Sequence, residues 1–135
     1  MIEVSDKPID PGLVIDEVRA GSSGSMAVYI GMIHEFSRGK PVLSLEFQDP
    51  TGTAEDKLRD VSSAVNRKWQ LDNIAICHRI GKLKVGDINL VIAVAAAHRA
   101  EAFAACQHAF DLVRQAMPTT KTETYQDGSV WVAEE

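Results

Sequence analysis

The sequence predicts an α+β fold, a mostly antiparallel sheet with helices packed against it. Three observations carry this. Apolar residues recur at helical spacing over 53–69 and again after His98, strand formers cluster at 26–33, 42–47, 74–80 and 88–96, and the last stretch reads as a hairpin around Asp127 and Gly128. With 135 residues the chain has the size of one domain, spanning 1–135, long enough to bury roughly two-thirds of its unfolded surface around one core.

Asp10 before Pro11 is an N-cap with proline in the first turn, opening a short helix through Val14, Ile15 and Val18 that the Gly21–Gly24 stretch ends. MAVYIGMI at 26–33 and VLSLEF at 42–47 are expected to pair across the polar turn from Glu35 to Lys40. In the second run Val42, Ser44 and Glu46 alternate with Leu43, Leu45 and Phe47, which gives one wetter face. Thr53 to Asp56 resembles a capping box with Asp in the fourth place, and Leu58, Val61, Val65 and Trp69 follow at helical spacing.

IAICHRI (74–80) and INLVIAVAA (88–96) read as a hairpin across the polar loop GKLKVGD, with Gly81 and Gly86 as turn residues. The second strand is almost continuously apolar, so both its faces are expected to be covered. Phe103, Cys106, Phe110, Val113 and Met117 recur at three- and four-residue steps, predicting a long helix across the sheet that Pro118 ends. TTKTETY and SVWVAE close the chain as a hairpin turning at Asp127 and Gly128.

A formal charge of −5 argues against a protein built to grip nucleic acid. No apolar run approaches the ~18 residues needed to span a bilayer, so a soluble cytoplasmic protein without membrane contact is expected. Cys77 and Cys106 sit in apolar sequence and should pack as small hydrophobes. The histidines at 34, 78, 98 and 108 show no metal-ligand spacing, so no metal site is expected.

His98 and Arg99 stand where an apolar strand hands over to a helix. Unpaired N–H groups and a partial positive charge collect at such a start, so the pair offers a pocket for phosphate or carboxylate. The alternative is structural: His98 caps its own helix and Arg99 pairs with an acid such as Glu101 or Glu123. Arg114 lies about 22 Å further along the helix axis, and Lys121, just past Pro118, could fold back toward either arginine. His78 is expected to be a hydrogen-bonded core residue, Trp69 and Trp131 to pack in the core or a dimer contact, and Tyr29 and Phe47 to lie in the core.

The ordered set YIGMIH (29–34), LSLEF (43–47), a helix ending in Trp69, HRIGKLKVGD (78–87), AHRAEAFAAC around His98, Pro118-x-x-Lys121 and DGSVWV (127–132) resembles the family of large, catalytic subunits of molybdopterin synthase over nearly the full chain. The resemblance implies an α/β hammerhead fold and a homodimer that holds a small ubiquitin-like subunit at each end. It implies a sulfurtransferase: sulfur moves from the partner's C-terminal thiocarboxylate onto cyclic pyranopterin monophosphate, in two rounds, to make the molybdopterin dithiolene. No further cofactor is implied.

By the same resemblance His98 and Arg99 bind an anion and Lys121 is the catalytic cation. Two positions depart from the family pattern. His34 stands where an arginine is common, leaving a phosphate contact to His34 or to nearby Arg38, and Arg114 stands at a second catalytic lysine. Arginine keeps the charge but is not readily deprotonated, so Arg114 could orient or stabilise but hardly act as a base. These replacements also admit an altered, non-catalytic relative that keeps the dimer and the partner groove as a binding or regulatory module.

Overall fold

The computed structural model describes residues 1–135. In chain order the elements are β1 (Ile2–Ser5), α1 (Pro11–Val18), β2 (Ser25–Met32), β3 (Phe36–Ser37), β4 (Lys40–Gln48), α2 (Ala54–Lys68), β5 (Asn73–Arg79), β6 (Gly81–Lys84), β7 (Ile88–Ala96), α3 (Arg99–Ala116), β8 (Thr120–Tyr125) and β9 (Val130–Glu134). They form two sheets. The first runs β1-β5-β7-β2 and the second β3-β4-β8-β9, with β6 also paired to β4. Only the β1–β5 pair is parallel, so the α+β, mostly antiparallel expectation holds.

The first sheet is covered on both faces. Leu90, Ile92, Val94 and Ala96 of β7 face α2 and α3, while Val91, Ala93 and Ala95 face Val14 and Val18 of α1. This accounts for the unbroken apolar run, since period-two alternation has no polar side to show when both sides are buried. Each fully buried aliphatic side chain here, such as Leu58 or Ile92, contributes about 1.5–3 kcal/mol. The second sheet carries its own cluster of Ile33, Val42, Leu45, Phe47, Leu83 and Tyr125. No helix is long and apolar enough to cross a membrane.

Two local signals hold as read. Asp10 caps α1, its Oδ1 accepting from the N–H groups of Gly12 and Leu13 with Pro11 in the first turn, and Gly128 turns the last hairpin at φ 88°. Five expectations need correction. β2 and β4 do not pair: β2 pairs with β7, and β4 with β3, β6 and β8. The stretch between β5 and β7 is not only a loop, because Gly81 and Gly86, both at positive φ, turn the chain out to β6 in the second sheet and back.

Leu43 does not share a face with Leu45. The β4–β8 register shifts between Val42 and Ser44, and this bulge turns Val42 inward and leaves Leu43 57% exposed. Thr53 makes no capping bond; Asp49 Oδ2 accepts from the Ala54 N–H instead. On α3 the buried stripe is Ala102, Ala105, Cys106, Ala109 and Val113, and Phe103 is exposed. The alanines let α3 lie close on the sheet; Cys106, Val113 and Met117 are buried as expected and Phe110 packs against the core, so of the expected apolar stripe only Phe103 points away.

Candidate active site

The ends of the two sheets and the last turn of α3 enclose a pocket of about 330 Å³, lined among others by Tyr29, His34, Phe47, Phe110, Arg114, Lys121, Glu123 and Glu135. β8 sets its charged wall by simple alternation. In TKTETY the residues Lys121, Glu123 and Tyr125 share the face that meets Phe47, Leu45 and Val42 of β4. Lys121 Nζ lies 3.5 Å from Glu123 Oε1 and 5.6 Å from the Trp131 ring centroid.

Glu123 is buried and fully engaged. Its Oε2 accepts from Ser37 Oγ at 2.7 Å and from the Tyr125 hydroxyl. Burial disfavours its charge, but the bonds from Tyr125 and Ser37 and the Lys121 ammonium outweigh that, holding the carboxyl below its ordinary range. A buried carboxylate so held fixes the lysine head group at one place in the pocket wall.

A second carboxylate stands beside Lys121. Glu135 Oε1 lies 2.6 Å from Nε2 of His78, and its other oxygen accepts from the Thr119 hydroxyl. Burial opposes its charge too, and His78, Thr119 and Lys121 together pull the carboxyl below its usual range. His78 is 1% exposed, as expected of a hydrogen-bonded core histidine, with the Phe47 ring edge-on at 5.3 Å.

Arg114 and His34 reach the same pocket from α3 and from the end of β2. Arg114 is exposed, its guanidinium 5.8 Å from the Phe110 ring. His34 Nδ1 lies 2.7 Å from the Phe36 carbonyl oxygen and 3.2 Å from the Phe36 nitrogen, so its local contacts engage Nδ1 and leave Nε2 free. Lys121 has thus folded toward Arg114, not Arg99.

The other expected residues lie elsewhere. Arg38, at φ 54°, stacks over Trp131 at 4.3 Å and does not line the pocket. His98 and Arg99 are exposed at the start of α3, the far end of the helix from Arg114. His98 does occupy the N-cap of α3, its carbonyl accepting from the Ala102 N–H, but its side chain makes no capping bond, and Arg99 makes no ion pair. Arg99 borders a separate cleft of about 70 Å³ with Ser25, Ala102 and Phe103.

Sequence reasoning missed Glu123 and Glu135 as site residues. The signal for Glu123 was there: an acid two residues from Lys121 and two from Tyr125 on a strand must share their face. Nothing local announced Glu135 or Ser37, whose partners are 16 or more residues away in the chain. No group of three or more His, Cys, Asp or Glu converges in a way that could hold a metal ion. Cys77 and Cys106 are buried free thiols; burial raises Cys77 to about 11 and Cys106 above its ordinary value.

Comparison with known proteins gives one consistent answer. The family described as MoaE protein matches residues 4–116, a span that ends before Lys121. Similarity to individual relatives continues beyond it. The molybdopterin synthase catalytic subunit of Halalkalibacterium halodurans is 33% identical over 132 residues, covering 98% of this chain and 85% of that protein. The corresponding subunit of a Nostoc species is 37% identical over 127 residues, covering 90% and 77%.

Among solved structures, molybdopterin synthase from Staphylococcus aureus superimposes with a TM-score of 0.92 at 28% identity, covering 99% of this chain and 97% of that one. A complex of subunits 1 and 2 of molybdopterin-converting factor from Helicobacter pylori shares the fold, with a TM-score of 0.77 at 12% identity over 98% and 90% of the two chains.

Proposed function

Because the chain belongs to the MoaE protein family, we propose that it is the catalytic subunit of a molybdopterin synthase, a sulfurtransferase of molybdenum cofactor biosynthesis. The partner is a small subunit whose C-terminal thiocarboxylate donates sulfur, and the acceptor is cyclic pyranopterin monophosphate. The named relatives are catalytic subunits, which favours this over a non-catalytic binding module. The Helicobacter complex of two subunits supports a small protein partner.

One observation carries the chemistry: Lys121 is fixed by the buried, ionised Glu123 in a pocket that also holds Arg114. Acceptor and donor both arrive as anions, and positive groups set in a half-buried wall are worth more there than in water. Lys121 is the group that can give or take a proton as sulfur attacks the pterin side chain; Arg114 supplies charge and orientation only. His34 Nε2 offers a single phosphate contact where an arginine would offer a fork of donors.

His98 and Arg99 remain proposed anion-binding residues, but within one chain they serve a place separate from this pocket. We also propose a homodimer. Its support is the outer side of β2, the edge strand of its sheet, where α1 is too short to cover Val28, Ile30 and Met32.

The test is turnover with purified protein, thiocarboxylated small subunit and cyclic pyranopterin monophosphate, with molybdopterin read as its fluorescent oxidised derivative. Product is expected, falling at least about a hundredfold in Lys121→Ala and persisting in Arg114→Lys. Absence of product from subunits that demonstrably bind each other would overturn the assignment.

A further inference from the structure

The side chains that line the pocket do not, by themselves, make it positive. Among the charged ones, Lys121 and Arg114 are cations and Glu123 and Glu135 are carboxylates. The sum is zero, although the proposed reaction brings two anions to this place. The missing charge lies one layer deeper.

His78 is enclosed by acceptors. Its Nδ1 is 3.0 Å from the Arg79 carbonyl oxygen, an atom that can only accept, so this nitrogen carries a proton. Its Nε2 is 2.6 Å from Glu135 Oε1. The other oxygen of Glu135 accepts from the Thr119 hydroxyl, and a carboxylate has only lone pairs to offer, so Nε2 donates to it. A ring that donates from both nitrogens is an imidazolium.

We propose that His78 is a buried positioning residue, held as an imidazolium by the Arg79 carbonyl and the Glu135 carboxylate, that cancels the charge of Glu135 and so leaves the pocket net positive for its anionic substrates. The groups facing this pair from the surrounding elements are Lys121 of β8, Phe47 of β4, Thr119 before β8 and Arg114 across the pocket. Besides His78, the Lys121 ammonium also favours the charge of Glu135. Without the imidazolium, the Lys121 ammonium would be shared between two carboxylates. With it, Lys121 answers to Glu123 alone and keeps its remaining field for the ligand. This deepens the proposed function and rests on it for the identity of the anions.

Two measurements decide it. Long-range proton–nitrogen NMR on histidine-labelled wild-type protein near neutral pH should show His78 with both ring nitrogens protonated; a neutral tautomer overturns the proposal, whatever the protein's activity. In the turnover assay, His78→Gln keeps a donor toward Glu135 but no charge. It should raise KM for cyclic pyranopterin monophosphate about tenfold with a much smaller change in kcat.

Adding Glu135→Gln to His78→Gln restores the charge count and should return KM to within about threefold of wild type. A purely structural role predicts the opposite, a double variant at least as impaired as the single one, and that result overturns the proposal. If the wild type itself makes no product, the functional assignment fails and the NMR result still decides the charge of His78.

Discussion

At the scale of single residues, the pocket is a set of solved burial problems. Glu123 is 3% exposed and would be costly there as a lone charge, yet three donors keep it ionised and it repays this by anchoring Lys121. Its lowered pKa has a measurable consequence. A depressed carboxyl contributes stability that is fully present above the unfolded value, about 4.3 for glutamate, and is lost as pH falls through the folded value. Thermal melts from neutral to acid pH should therefore show wild-type stability falling more steeply below about pH 4 than that of Glu123→Gln. The variant should also lose activity near neutrality through a looser Lys121. Equal slopes for the two proteins would remove Glu123 from the acid response.

Elements bring these residues together through close approaches that tolerate little extra volume. Where β2 begins beside the end of β7, a Cβ on Gly24 would stand 2.3 Å from the Ala97 carbonyl oxygen. The Gly24 N–H meanwhile donates to the Ala96 carbonyl at 3.1 Å. Substitution must push one backbone away from the other. Gly24→Ala is expected to cost about 1–3 kcal/mol, read as a lowered denaturant midpoint at unchanged slope. An unchanged midpoint would mean that the strand end shifts freely. The same approach places the start of α3, so this variant should disturb His98 and Arg99 more than Lys121.

For the whole molecule, the two sheets divide the labour. The first, covered by helices on both faces, is the rigid body; the second brings β8 and its charged wall against the last turn of α3. What remains uncovered is the outer side of β2. Met32→Asp should leave the fold intact and shift light-scattering mass from two copies toward one, if that edge is the contact between copies. A dimer unaffected by this charge would place the contact on another surface.

The sequence alone determined what depends on neighbours a few residues apart: the Asp10 cap, the turn at Gly128, the two longer helices, the doubly buried β7 and the family pattern. Of the expected site, it identified Lys121, Arg114 and His34, which the fold does bring to one pocket. Tertiary structure decided which strands pair, because β2 and β4 have equal strand character and only the whole sheet selects β7 for one and β8 for the other. It decided the bulge at Val42–Ser44 that sends Leu43 outward. It also separated His98 and Arg99 from Lys121, and it joined Glu135 and Ser37 to residues far away in the chain. Periodicity and capping are local energies written in short stretches. A pocket's charge is a sum over side chains delivered by separate elements, and it exists only once they meet.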